Sequence, residues 1–121
     1  MIGHPHCQRI VIAEMNLDEQ VTACGLQEPE GPFDMGINAT GAGLSGTRLE
    51  LNPMVIGQGT RCYDLTYSST DTHFMQWARS QGSDELSDGL GMLVEQAAIQ
   101  YEGWLNKRPT TRPVINTLRN S

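Results

Sequence analysis

The sequence of 121 residues predicts a mainly β fold, a small antiparallel barrel closed by one long C-terminal helix. Three observations carry that expectation. The segment from Gly36 to Gly46 is dense in glycine, which reaches backbone angles that other residues adopt only at a steric cost, so it reads as a sharp turn. After it, Thr47-Arg48-Leu49-Glu50-Leu51 and Cys62-Tyr63-Asp64-Leu65-Thr66 alternate apolar and polar residues, the period of strands with one buried face. From Ser83 the period lengthens. Leu86, Leu90, Leu93, Val94, Ala97, Ala98, Tyr101, Trp104 and Leu105 recur at the three- and four-residue spacing of one helix face.

Taken in order, residues 1–7 form a short tail, residues 8–107 the barrel and its helix, and residues 108–121 a basic tail. Gln8 to Glu14, with Ile10, Val11 and Ile12, reads as a first strand. Asn16 to Glu19 is a turn, and Gln20 to Cys24 a short second strand. Gln27 to Pro32, with two prolines, two glutamates and a glycine, is a loop, and Phe33 to Ile37 is extended. Asn52-Pro53 and Gly57-Gln58-Gly59 connect the two alternating strands, and Ser68 to Asp71 is a polar turn. Thr72 to Ala78 alternates well enough for a last strand. The helix then runs from Ser83, a suitable N-cap, to Lys107, with Asp84 and Glu85 at its positive end and Pro109 as its stop. The proline-interrupted segment beyond Pro109 reads as an extended arm or a partly unstructured tail.

The formal net charge of −6, with only eight Lys and Arg, excludes duplex nucleic acid as a main partner, because phosphate neutralisation needs clustered cations. No stretch approaches the roughly 20 apolar residues of a membrane span, and no secretory leader opens the chain. Three cysteines without close pairing read as free thiols in a cytoplasmic protein.

Several constellations resemble chemistry. Gly41-Ala42-Gly43-Leu44-Ser45-Gly46 fits G-x-G-x-x-G, which cradles a pyrophosphate only where a strand precedes it and a helix follows. The alternation from Thr47 predicts a strand there instead, so the glycines read as a turn or bulge. Gly43-Leu44-Ser45-Gly46-Thr47 misses the last glycine of a nucleophile elbow. His4, His6 and Cys7, with Cys24, are soft ligands suited to zinc, but without a C-x-x-C or H-x-x-x-H anchor they read as exposed histidines and a buried thiol. Asp71 and His73 beside Ser68 and Ser69 read as a polar turn, since triad members must converge in space. Asp88, Glu95 and Glu102, seven apart, read as a solvated helix face or an acidic ridge for a basic partner. Trp77 and Trp104 read as core or interface.

The order of these features resembles a PilZ domain, over roughly residues 8 to 107. Gly36-Ile37-Asn38-Ala39-Thr40-Gly41-Ala42-Gly43-Leu44 is similar to that family's D-x-S-x-x-G motif, with Gly36 for the aspartate, Asn38 for the serine, and Gly41 kept. Leu49 to Pro53, Gly59-Thr60-Arg61 and the segment His73 to Trp77 follow the family's course. The resemblance implies a six-stranded antiparallel barrel with a terminal helix. It also implies a ligand corner at Arg9, Gly36, Asn38 and Gly41. The family grips cyclic di-GMP largely with two arginines of an R-x-x-x-R motif, and Arg9 is the single arginine before Arg48. The implied function is therefore noncatalytic: a bacterial adaptor in cyclic di-GMP linked signalling, acting on motility, pili or virulence through protein contacts. No cofactor is expected, cyclic di-GMP included. Met92, Ile99, Tyr101 and Trp104 on the helix are the expected surface for a protein partner or for self-association. The alternatives are a small metal- or thiol-dependent enzyme using His4, His6, Cys7 and Cys24, and an unrelated phage or secretion accessory protein.

Overall fold

The computed structural model describes residues 21–42 and 49–121. Among the described residues, three short strands form one sheet: β1 (Met35–Asn38), β2 (Arg61–Asp64) and β3 (Glu85–Asp88). They lie in the order β1-β2-β3, and both pairings are parallel. The helices are α1 (His73–Ser80), between β2 and β3, then α2 (Leu90–Leu105) and α3 (Arg112–Arg119). In the connection from β1 to β2, the described residues include a 3-10 turn, Pro53–Val55.

This overturns the antiparallel barrel. Parallel neighbours cannot be joined by a hairpin and need a crossover, here built around α1 between β2 and β3. Two expected strands are absent among the described residues: Thr72 to Ala78 forms the start of α1, and residues 49–52 are irregular. The expected strands over Gln8–Glu14 and at residues 47 and 48 lie outside the described residues, and that over Gln20–Cys24 does so at its first residue, its remainder being irregular. The extended segment at Phe33–Ile37 corresponds to β1, and the alternating run at Cys62–Thr66 to β2.

Local chemistry explains the elements. Thr72 caps α1: its hydroxyl accepts the Met75 amide at 3.2 Å, and the helix buries Phe74, Met75 and Ala78. Gly82, at φ 101°, carries the chain out of α1 in a conformation that favours glycine. The helix expected from Ser83 starts seven residues later, at Leu90. Ser83 is fully buried and donates its hydroxyl to the Thr60 carbonyl at 2.7 Å, and Glu85–Asp88 is drawn into the sheet. α2 ends at Leu105, where Asn106 adopts the left-handed conformation at φ 51° and its amide donates to the Glu102 carbonyl. The basic segment expected as an arm holds the eight-residue helix α3.

The core lies on one face of the sheet. In-register Gly36, Cys62 and Leu86 face α1, where Ile56, Cys62, Phe74 and Ala78 form a cluster flanked by Leu51, Val55, Trp77 and Leu86. The Phe74 and Trp77 rings stack with centroids 5.9 Å apart. On the opposite face of β1, Met35 and Ile37 are exposed. Among the described residues, no helix is long and apolar enough to cross a membrane.

Candidate functional site at the strand ends

In an open parallel sheet, ligands bind beyond the carboxyl ends of the strands. Here those ends carry a row of three in-register residues, Asn38, Asp64 and Asp88. Each accepts the amide two residues on, which turns the chain out of the sheet. Asn38 Oδ1 accepts the Thr40 amide at 3.1 Å and the Thr40 hydroxyl at 2.8 Å. Asp64 Oδ1 repeats this with the Thr66 amide and hydroxyl at 3.0 and 2.8 Å. Asp88 Oδ1 accepts the Leu90 amide at 3.3 Å, at the start of α2.

The strand ends are also tied to each other. The Leu65 amide donates to the Asn38 carbonyl at 2.9 Å, and the Gly89 amide to the Thr66 carbonyl at 2.9 Å. Gly89 lies so close to Leu65 that a methyl group there would run into the Leu65 carbonyl. The β3–α2 turn thus rests directly on the segment after β2. That segment leads to Tyr67, which is 57% exposed.

Two of the three acidic or amide side chains are anchored from afar. Asp64 Oδ2 accepts the Thr72 hydroxyl at 2.6 Å, which joins β2 to the cap of α1. Asp88 takes a two-pronged contact from Arg119, at 2.6 and 2.7 Å, with the aspartate side chain 4% exposed. Burial alone would push the Asp88 carboxyl up. The Arg119 contact, with the Leu90 and Ser68 amides, outweighs burial and holds it below the ordinary carboxylate range.

A cavity of about 580 Å³ lies beside the ends of β1 and β2, lined among others by Asn38, Asp64, Glu50, His73, Phe74 and Trp77. Among the described residues its lining includes two carboxylates, Glu50 and Asp64, and one histidine, His73. A second hollow of about 290 Å³ follows the loop from Thr66 to His73.

The residues singled out from the sequence are scattered. Gly36 sits inside β1 facing Cys62 and Phe74, not at a ligand corner. Asn38 and Gly41 do lie at the strand end, while Arg9 is outside the described residues. Met92 is half-buried on α2, and Ile99, Tyr101 and Trp104 are exposed there, Trp104 at 78%. His4, His6 and Cys7 lie outside the described residues, and among the described residues no group of three potential ligands gathers for a metal. Burial pushes the Cys62 thiol up, away from a reactive thiolate, against a smaller opposing effect of the Ser83 hydrogen bond. Asp71 pairs with Arg79 at 2.7 Å, while His73 opens α1. The row Asp88, Glu95 and Glu102 is no open acidic ridge: Arg119 holds the first and Arg108 bridges the other two at 3.0 Å each. The G-x-G-x-x-G stretch is preceded by β1, and residues 49–52, expected within the strand after it, are irregular. Its remaining residues lie outside those described.

Sequence reasoning missed Asp64, Leu65, Gly89 and Arg119 as parts of one rim. The available signal was Asx-x-Thr repeated at Asn38-Ala39-Thr40 and Asp64-Leu65-Thr66, each closing a short β segment.

Residues 89–119 match the family profile of the Shikimate 5'-dehydrogenase C-terminal domain, from the rim glycine to Arg119. Over 109 residues the chain is 42% identical to a Shikimate dehydrogenase (NADP(+)) of Alkalilimnicola ehrlichii, which covers 89% of this chain and 40% of that protein. The likeness is to shikimate dehydrogenases. The enzyme of the same name from Halorhodospira halophila is 45% identical over 103 residues, covering 84% of this chain and 38% of its own length. Among solved structures, an Ael1 enzyme from Pseudomonas putida superposes with a TM-score of 0.74 at 36% identity, over 93% of this chain and 42% of that one. Shikimate 5-dehydrogenase from Thermus thermophilus, solved with shikimate, gives a TM-score of 0.74 at 21% identity, over 97% of this chain and 42% of that one, which shows a shared fold. The fold is Rossmann-like. The chain spans about two fifths of the length of the curated relatives it matches. These findings overturn the PilZ resemblance and, with it, the noncatalytic signalling adaptor: the relatives are named dehydrogenases.

Proposed function

We propose that this chain is the C-terminal part of a shikimate dehydrogenase, and that its strand-end rim faces the nicotinamide end of NADP+. The observation that carries the reading is the 42% identity over 109 residues to a shikimate dehydrogenase of that cofactor, a match that includes the rim. The rim fits this end of the nucleotide. It offers backbone rather than charge: the Leu65–Thr66 main chain, the glycine approach at Gly89 and the first turn of α2. The helix start adds a partial positive potential from amides without intrahelical partners. Arg119, which reaches the rim, is committed to Asp88. When bound, the nucleotide supplies the hydride acceptor for oxidation of a secondary alcohol to a ketone. The chain's own residues position it. Asn38, Asp64 and Asp88 fix the three turns, Gly89 leaves room for close backbone approach, and the exposed Tyr67 presents a phenol hydroxyl that can donate or accept a hydrogen bond. A cytoplasmic location is part of this proposal.

Titration of the purified chain with NADP+, followed by NMR of backbone amides, tests the reading. Shifts confined to Leu65–Tyr67 and Gly89–Gly91 are expected. Saturating NADP+ that leaves those amides unmoved, while moving others or none, defeats it.

A further inference from the structure

We propose that Arg119 is the positioning residue of the rim: through Asp88 it seats the β3–α2 turn on the segment after β2 and so sets the backbone of Leu65–Tyr67 and Gly89. What that backbone binds rests on the nucleotide reading above.

The three strand ends solve one problem in different ways. A side-chain oxygen at each end must be satisfied once it has turned the chain. At Asn38 and Asp64 the residue two positions on is a threonine, whose hydroxyl supplies a second donor on the spot. Asp64 gains a third donor from Thr72. At Asp88 the corresponding residue is Leu90, which has only its amide to give. A buried carboxylate held by backbone amides alone, here those of Leu90 and Ser68, is costly. The missing donors come from 31 residues along the chain, in the last turn of α3. The guanidinium meets both carboxylate oxygens, so it fixes the plane of the Asp88 side chain as well as its charge.

The position of Asp88 matters because its neighbours form the rim. It holds the Leu90 amide on one side, and the Ser68 amide also reaches it from the loop that carries Tyr67. Gly89, its successor, is hydrogen-bonded to Thr66 and pressed against Leu65. Movement of Asp88 therefore moves both sides of the rim together. α3 has little apolar contact with the sheet. None of its residues is buried; it packs against α2, and the half-buried Ile115 lines a hollow with Tyr63, Ser87 and Arg119. A helix held that loosely, yet placing its last arginine on an almost fully buried aspartate, acts as an arm for that contact.

The test compares Arg119→Ala, Arg119→Lys and Asp88→Asn with the unaltered chain by amide hydrogen exchange, and repeats the NADP+ titration on each. Arg119→Ala is expected to speed exchange at Ser68, Gly89 and Leu90 by about tenfold or more, with Cys62 and Val94–Ala98 unchanged. Arg119→Lys is expected to recover part of that protection, because it keeps the charge and loses one prong. Asp88→Asn combined with Arg119→Ala is expected to add little to either alone. Unchanged exchange at the rim overturns the proposal. So does a rise spread evenly along α2 and α3, or a lysine variant no better than alanine. If Arg119→Ala does not fold, the lysine and Asp88→Asn variants decide by the same criteria. An unaltered chain that fails to bind NADP+ defeats the nucleotide reading, while the exchange pattern still decides the role of Arg119.

Discussion

A single hydrogen atom decides how the strand ends meet. Gly89 leads from β3 into α2 at the point where the chain touches the Leu65 carbonyl, and any side chain there must push the two turns apart. Its backbone angles are ordinary, with φ −77°, so the requirement is for space and not for a left-handed conformation. In the sequence, Gly89 and Gly91 look like flaws in a helix, each weakening it by about 1 kcal/mol relative to alanine. That propensity argument missed why a glycine stands at position 89, because contact with a residue 24 positions earlier leaves no trace in local periodicity. Gly91 is different, since nothing lies within 4 Å of where its side chain would be. Gly89→Ala is therefore expected to destabilise the fold by about 3 kcal/mol, as overpacking does. Gly91→Ala is expected to be neutral or to gain about 1 kcal/mol of helix propensity. Urea unfolding of the two variants checks this. Equal midpoints would remove the steric account of the strand-end contact.

At the level of elements, the segment from Thr72 to Ala78 shows how a helix can read as a strand. Seven residues hold barely two helical turns, and Thr-His-Phe-Met-Gln-Trp-Ala satisfies a two-residue period almost as well as a helical one. What settles it is Thr72. Its hydroxyl accepts the Met75 amide while donating to the buried Asp64, so one side chain both starts α1 and fastens it to β2. The reverse error occurred at Glu85–Asp88, four residues that the neighbouring helical pattern absorbed, although their exposure alternates as a strand's does. α2 beyond Leu90 was legible because Leu90, Val94 and Ala98 repeat over several turns. Parallel pairing was not legible, since register and direction depend on the crossover and not on any one strand's composition. Thr72→Ala is expected to cost about 2–4 kcal/mol: about 1 kcal/mol for the cap and the rest for an Asp64 oxygen left without its donor. Thr72→Ser, which keeps the hydroxyl, is expected to lie within about 1 kcal/mol of the unaltered chain. Thermal and urea unfolding distinguish them, and a Thr72→Ala variant as stable as Thr72→Ser would show that the hydroxyl is not what joins the two elements.

Across the whole molecule, the last helix is connected to the sheet by charge more than by apolar burial, and this makes its attachment sensitive to acid. The chain's net charge of −6 gives no hint of this, because the argument depends on where two residues meet and not on how many charges there are. From the sequence, Arg119 belonged to a basic tail and Asp88 to a helix face. The fold takes Asp88 out of the helix, buries it at the end of β3 and brings α3 back across 31 residues to meet it. The folded Asp88 carboxyl lies below its ordinary value, so the unfolded chain binds its proton first as acid is added. The stabilisation is thus fully present above the ordinary aspartate value of about 3.9 and is lost as pH falls through the lower folded value. Arg119→Ala removes the main effect opposing burial and leaves only the Leu90 and Ser68 amides to hold the carboxyl down. At neutral pH the substitution is expected to cost about 1–3 kcal/mol, the range for a hydrogen-bonded charge with one half-exposed partner. In acid, where Asp88 is protonated in both proteins, the two stabilities are expected to converge. Urea unfolding of the unaltered chain and Arg119→Ala between neutral pH and the lower carboxylate range measures the gap directly. A gap that stays constant with pH would mean that Arg119 stabilises α3 through packing of its stem and not through the Asp88 charge.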